Sequence, residues 1–155
     1  MLIQRCTRLA VLLLLACSAA ATGLSTPVSA SESRPIPLAC VTAMDSPHYS
    51  SGAGGAISKF RFCDYDGANA NVDLILFLCP RRPSGSEGDW ARIYGCVPKA
   101  TASYQWFAQA QVQYTRYVPP VGQPGAHGTG WWVSCAVVHA PFIGTIPSTP
   151  QYFAA

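Results

Sequence analysis

Tyr104-Gln105-Trp106-Phe107-Ala108-Gln109-Ala110-Gln111-Val112-Gln113-Tyr114 alternates in character over eleven residues. One set reads Tyr, Trp, Ala, Ala, Val, Tyr; the other reads Gln105, Phe107, Gln109, Gln111 and Gln113. Successive side chains of a strand point to opposite faces, so a period of two marks a strand with one buried and one wet face. A surface helix would place its apolar residues three and four apart. The spacing predicts a single strand from Tyr104 to Tyr114 with its glutamines facing solvent.

Other segments carry the same kind of signal. Ile57 to Tyr65 alternates, with Phe60 and Phe62 on one face and Lys59, Arg61 and Cys63 on the other. Val72 to Cys79 is almost continuously apolar, as expected of a central strand covered on both faces. Trp90 to Val97 and Trp131 to Ala140 complete five candidates, and Leu38 to Met44 is a sixth. Proline follows Cys79, Val97, Val118 and Ala140 directly. It lacks the N–H that a ladder requires and so marks where pairing stops. Clusters of Gly, Pro, Asp, Asn and Ser lie between the runs, as in turns.

This pattern predicts an all-β fold, an antiparallel β-sandwich or small barrel of five to seven strands. Half of the 155 residues are hydrophobic and 11% are charged. Such a composition excludes a disordered chain, which needs low hydrophobicity and high net charge. A formal charge of +3 excludes a surface built to follow phosphates.

Residues 1–30 read as a cleaved signal peptide. Arg5 and Arg8 precede an uncharged run from Leu9 to Leu24, and Val28-Ser29-Ala30 offers the small-x-small cleavage pattern. Residues 31–37 then form a flexible arm, 38–145 the β-domain and 146–155 a C-terminal tail. Without the leader, eight basic residues face seven acidic ones. The expected location is secreted and extracellular, with no nucleic-acid partner. Leu14-Leu15-Ala16-Cys17 loosely matches a lipoprotein box, so lipid on Cys17 would instead anchor the domain at the cell surface, the one route to a membrane.

Export makes disulfides the expectation for Cys40, Cys63, Cys79, Cys96 and Cys135. Five is an odd number, which leaves one thiol over. A bridge from Cys96 to Cys135 between sheets is expected, with Cys40 and Cys79 also bonded and Cys63 as the free thiol. The spacing lacks Cys-x-x-Cys and His-x₃₋₅-His, the usual frames for zinc. No cofactor is expected.

The remaining residues suggest surfaces more than catalysis. Asp64, Asp66, Asn69, Asn71 and Asp73 crowd hard oxygen donors into one stretch and form a weak calcium candidate, although the spacing is not that of an EF-hand. Ordinary turn chemistry explains the same residues. Trp131 and Trp132 must point to opposite faces, which leaves one of them outside. A solvent-facing Trp132 beside Phe107, Gln109, Gln111 and Tyr117, joined by His127 of the 119–130 loop, would make a binding face for a protein or a cell-wall glycan. His139 shares a strand face with Val133, Cys135 and Val137 and is expected to be buried and hydrogen-bonded.

The leading expectation for function is a non-enzymatic extracellular interaction module. A second reading is a secreted hydrolase using His127 with a nearby acid or thiol. A third is a protease inhibitor baited with Lys99. Gly128-Thr129-Gly130-Trp131-Trp132-Val133-Ser134-Cys135 resembles the Trp-and-Cys close of septum-formation-type extracytoplasmic domains of actinobacteria. That family's earlier cysteine spacing and its Pro-His after a cysteine are absent, so no site residue follows from the resemblance.

Overall fold

The segment Asp64-Tyr65-Asp66-Gly67 decides the architecture. Asp66 donates its N–H to Asp64 Oδ1 at 3.0 Å, and Gly67 takes φ +82, a left-handed conformation that costs glycine little. The strands on either side do not pair with each other. They belong to two different sheets.

The computed structural model describes residues 40–155. Its elements are β1 (Ala43–Met44), β2 (His48–Ser50), β3 (Gly55–Phe62), β4 (Ala68–Cys79), α1 (Glu87–Tyr94), β5 (Val97–Ala108), β6 (Tyr114–Val118), β7 (Thr129–Ala140), β8 (Gly144–Pro147) and β9 (Gln151–Ala154). In the four-stranded sheet β3 pairs with β6 on one side and with β1 and β2 on the other. In the five-stranded sheet β4 pairs with β5 and β7, and β7 pairs with β8 and β9. All of these pairings are antiparallel. The leader, Cys17, the arm and Leu38 lie outside the described residues.

The space between the sheets is filled by alternate residues. Phe60 and Phe62 of β3 meet Val72, Leu74 and Leu76 of β4 and Trp132, Ala136 and Val138 of β7. Burying a side chain such as Leu or Phe stabilises by roughly 1.5–3 kcal/mol. The opposite face of β4 and β7 carries a second apolar cluster of Phe77, Cys79, Val133 and Cys135, covered by Trp90 of α1. Two-sided cover is why Val72 to Cys79 reads as a continuous apolar run.

Each side of the sandwich has its own closure. On one side both edges are broken strands: Asp45-Ser46-Pro47 interrupts β1 and β2, and Ser148-Thr149-Pro150 interrupts β8 and β9. Asp45 still donates its N–H to Lys59 O, and Ser148 to Ser134 O, both at 2.8 Å. On the other side Arg116 of β6 lies over Trp106 at 4.6 Å, with Tyr104 and Tyr114 within 6 Å of its guanidinium. Cation–π contacts of this kind stabilise by about 0.5–2 kcal/mol each.

Four expectations are corrected. Trp90 to Val97 is not a strand: Glu87–Tyr94 is helical, with Glu87 and Asp89 in the first turn, Arg92 in the last and a left-handed Gly95 at its end. Tyr104 to Tyr114 is not one strand, because β5 stops at Ala108 and the chain turns through Gln109–Gln113, with Gln111 at φ 60. Residues 146–155 are not a tail, since β8 pairs with Cys135–Val138 and β9 with Thr129–Trp132 of β7.

The fourth correction concerns the disulfides. Cys79 bonds to Cys96, Cys40 bonds to Cys63, and the free thiol among the described residues is the buried Cys135, not Cys63. The helix accounts for the change, because it folds the chain back so that Cys96 returns to the end of β4.

Candidate functional site

The outer face of the five-stranded sheet is divided in two. Its apolar half lies beneath α1, where Phe77 meets Trp90 edge-on at 5.6 Å between ring centroids. The other half is bare and polar. Here β4 presents Asn69, Asn71 and Asp73, and β5 presents Ser103, Gln105 and Phe107. The ladder sets them side by side: Asn69 faces Phe107, Asn71 faces Gln105 and Asp73 faces Ser103. Phe107 is 62% exposed, although it stands on a regular strand of a packed sheet. A shallow groove of about 480 Å³ runs between Asn69, Asn71, Gln105 and Phe107.

A bulge brings in one more group. Asn71 pairs with Ala140 and Val72 with Val138, which leaves His139 as the extra residue of β7. Its Nε2 lies 2.8 Å from Asp73 Oδ2, so Nε2 carries the proton. Ser103 Oγ donates to Asp73 Oδ1 at 2.5 Å. Both bonds hold the Asp73 carboxyl below its usual range, Ser103 contributing most, against a small opposing effect of burial. His139 is therefore hydrogen-bonded as expected and shares the outer face with Val133 and Cys135, but it is exposed instead of buried, because it stands on the bare half of that face, beside Asp73.

The order of this trio matters chemically. Asp73 sits in the middle and accepts from both neighbours. Nucleophile activation needs the hydroxyl and the imidazole to share a hydrogen bond, whereas here each is bonded to the carboxylate.

The sequence-derived site is brought together only in part. Phe107 and Gln105 belong to the bare face. Trp132 does not: it is fully buried, its Nε1 donates to Phe153 O at 3.3 Å and its ring stacks on Phe153. Gln109 and Gln111 leave the sheet in the turn after β5. Tyr117 lies on the other sheet, paired with Lys59, in a groove of about 520 Å³ formed with Pro119, Pro120 and Val121. His127 is exposed in a separate groove beside Lys99, with no carboxylate or thiol among that groove's lining residues. Lys99 lies within β5 at a register break, not on a protruding loop.

The oxygen-rich stretch does not converge either. Asp64 Oδ1 is taken by the Asp66 N–H, while Asn69, Asn71 and Asp73 occupy successive outward positions of β4. Such positions are about 6.8 Å apart, too far for one ion to gather. No group of three or more His, Cys, Asp or Glu suited to a metal ion occurs among the described residues.

Sequence reasoning missed Ser103 and the role of Asp73 and His139. Strand alternation alone carried a signal for Ser103, which shares the phase of Gln105 and Phe107. No protein family, curated protein or solved structure matches the chain.

Proposed function

We propose that this chain is an extracellular, non-enzymatic binding module, and that its contact face is the bare half of the five-stranded sheet. One observation carries this reading: Phe107 is held open on a rigid strand, flanked in register by Asn69 and next to Asn71 and Gln105. An exposed aromatic ring on flexible chain is common, but here a sheet braced on its other face fixes the ring's position before any partner arrives. Preorganisation lowers the entropy lost on binding. The disulfides support an extracytoplasmic setting, where such bonds persist. The bonding of Ser103 and His139 to Asp73 favours binding over catalysis.

The test is retention of the labelled chain on intact cells that produce it. Wild type is retained, Phe107→Ala loses retention by about tenfold or more, and Val121→Ala, an exposed change in the loop after β6, behaves as wild type. Equal retention of Phe107→Ala and wild type, or no retention of wild type, contradicts the assignment.

A further inference from the structure

We infer that the occupant of this face is a neutral polysaccharide chain lying along β5. This rests on the reading of the bare half-sheet as the contact surface, and it names the chemistry of the partner. Among the described residues of the bare half, only Asp73 and His139 ionise, and they are bonded to each other; Lys99 and His127 lie in the separate groove past Thr101. No lysine or arginine lines the groove. A nucleic acid or a sulfated or uronic polymer calls for several cations, so the surface suits an uncharged ligand.

Its hydrogen-bonding groups are those a sugar uses. Each carboxamide offers one acceptor oxygen and two N–H donors, which matches a pair of adjacent hydroxyls, each both donor and acceptor. Gln113, in the turn beyond, is tied down by donating to Val41 O, whereas Asn69, Asn71 and Gln105 have no such side-chain bond among the described residues. Asp73 adds a fixed acceptor. Its two oxygens already hold Ser103 and His139, and each keeps a lone pair free.

The apolar content points the same way. A protein partner calls for an apolar centre of several residues inside about 800 Å² on each side. The bare half offers the single ring of Phe107. One ring is enough for the C–H face of a pyranose, whose polarised hydrogens meet the negative face of the ring.

Length favours a chain over one sugar. Thr101, Ser103, Gln105 and Phe107 all point outward from β5 and are exposed. That row spans about 20 Å, longer than a single sugar ring. β5 is also an edge strand, so no neighbouring strand walls the row on its far side.

Binding of the labelled full chain is measured on untreated, periodate-treated and protease-treated cells. Periodate cleaves vicinal diols of glycans, and protease removes surface proteins. The expected result is survival of binding after protease and a loss of about tenfold or more after periodate. Neutral polysaccharide released from the same cells competes, and Asn71→Ala and Gln105→Ala each weaken binding several-fold with unchanged circular dichroism. Loss after protease but not after periodate overturns the glycan assignment. In that case the contact-face reading stands if Phe107→Ala still abolishes binding. If Phe107→Ala binds as well as wild type, or wild type binds none of the surfaces, both readings fail.

Discussion

Ser58 Oγ and Ser134 Oγ share a hydrogen bond of 2.8 Å across the middle of the sandwich, although they are 76 residues apart in sequence. Both are fully buried. Ser58 donates to Asp45 O at 2.6 Å, and Ser134 shares a second bond with Ser148 at 3.0 Å. Asp45 and Ser148 are the first residues of the two breaks in the edge strands. The serines therefore link β3 to β7 and join both interrupted edges, so backbone and hydroxyl groups left there by the breaks are satisfied inside the protein. A buried polar group without a partner costs about 1–3 kcal/mol.

Ser58→Ala and Ser134→Ala are each expected to destabilise the fold by about 1–3 kcal/mol. The double variant should lose clearly less than the sum of the two, because each single change already removes the bond that the two hydroxyls share. Denaturant unfolding of all four proteins measures this. Strict additivity would show that the two serines act independently.

Cys135 lies in the apolar cluster beneath α1, and burial, reinforced by the charge of Glu87, pushes its thiol up to about 12. The thiolate is the reactive form. Maleimide at pH 8 should leave Cys135 unlabelled in the native protein and label it fully in guanidinium, as read by peptide mapping. The native thiol titrates above its ordinary value of 9.0, so its contribution to stability is complete below pH 9 and is lost as pH rises towards 12. Rapid native labelling would place Cys135 at the surface.

Asp73 gives the opposite pH dependence. Its folded value lies below the ordinary 3.8, so the ionised form stabilises the fold above that pH, and the contribution disappears as pH falls through the folded value. Ser103→Ala removes the larger of the two bonds and should move the Asp73 midpoint upward, towards 3.8. A carboxyl NMR titration reports it directly. A wild-type midpoint at or above 3.8 contradicts the geometry.

The Cys79–Cys96 bridge spans 17 residues and fastens the segment that carries α1. Replacing both cysteines by alanine should cost about 3 kcal/mol, the value for a closed loop of roughly this size. It should also loosen the helix over the sheet. Trp90, now 2% exposed, would then become accessible to acrylamide, seen as increased quenching of tryptophan fluorescence. Unchanged quenching together with unchanged stability would show that packing alone holds the helix.

The two-sheet β architecture was legible where alternation reflected burial on one face, as in Gly55–Phe62, and where cover on both faces left an apolar run, as in Ala68–Cys79 and Thr129–Ala140. It misled where turn residues happened to keep the same rhythm. Gln109, Gln111 and Gln113 continue the period of β5 because a glutamine turn is as polar as a wet strand face. Trp90, Ile93, Tyr94 and Val97 carry helical spacing, but eight residues are too few for that rhythm to outweigh their β-prone character. β8 and β9, at four residues each, are too short to show any period. The disulfide pattern was hidden for a related reason: it depends on the helix that returns Cys96 to β4. Of the site, Phe107 and Gln105 were visible from phase alone. The exposure of His139 and its bond to Asp73 were not, since a bulge leaves no mark in a one-dimensional pattern, and the choice of Trp132 for the core was hidden because the phase of β7 admits either tryptophan.

The account turns on whether Asn69, Asn71 and Gln105 touch a ligand. Side-chain carboxamide resonances, followed by ¹⁵N–¹H NMR while neutral cell-wall polysaccharide is added to the full chain, answer this residue by residue. The predicted result is saturable shifts of these three carboxamides and of the Phe107 ring, with the Gln123 carboxamide unmoved. Shifts confined to the Pro119–Gly125 loop, or none at saturating polysaccharide, would contradict it.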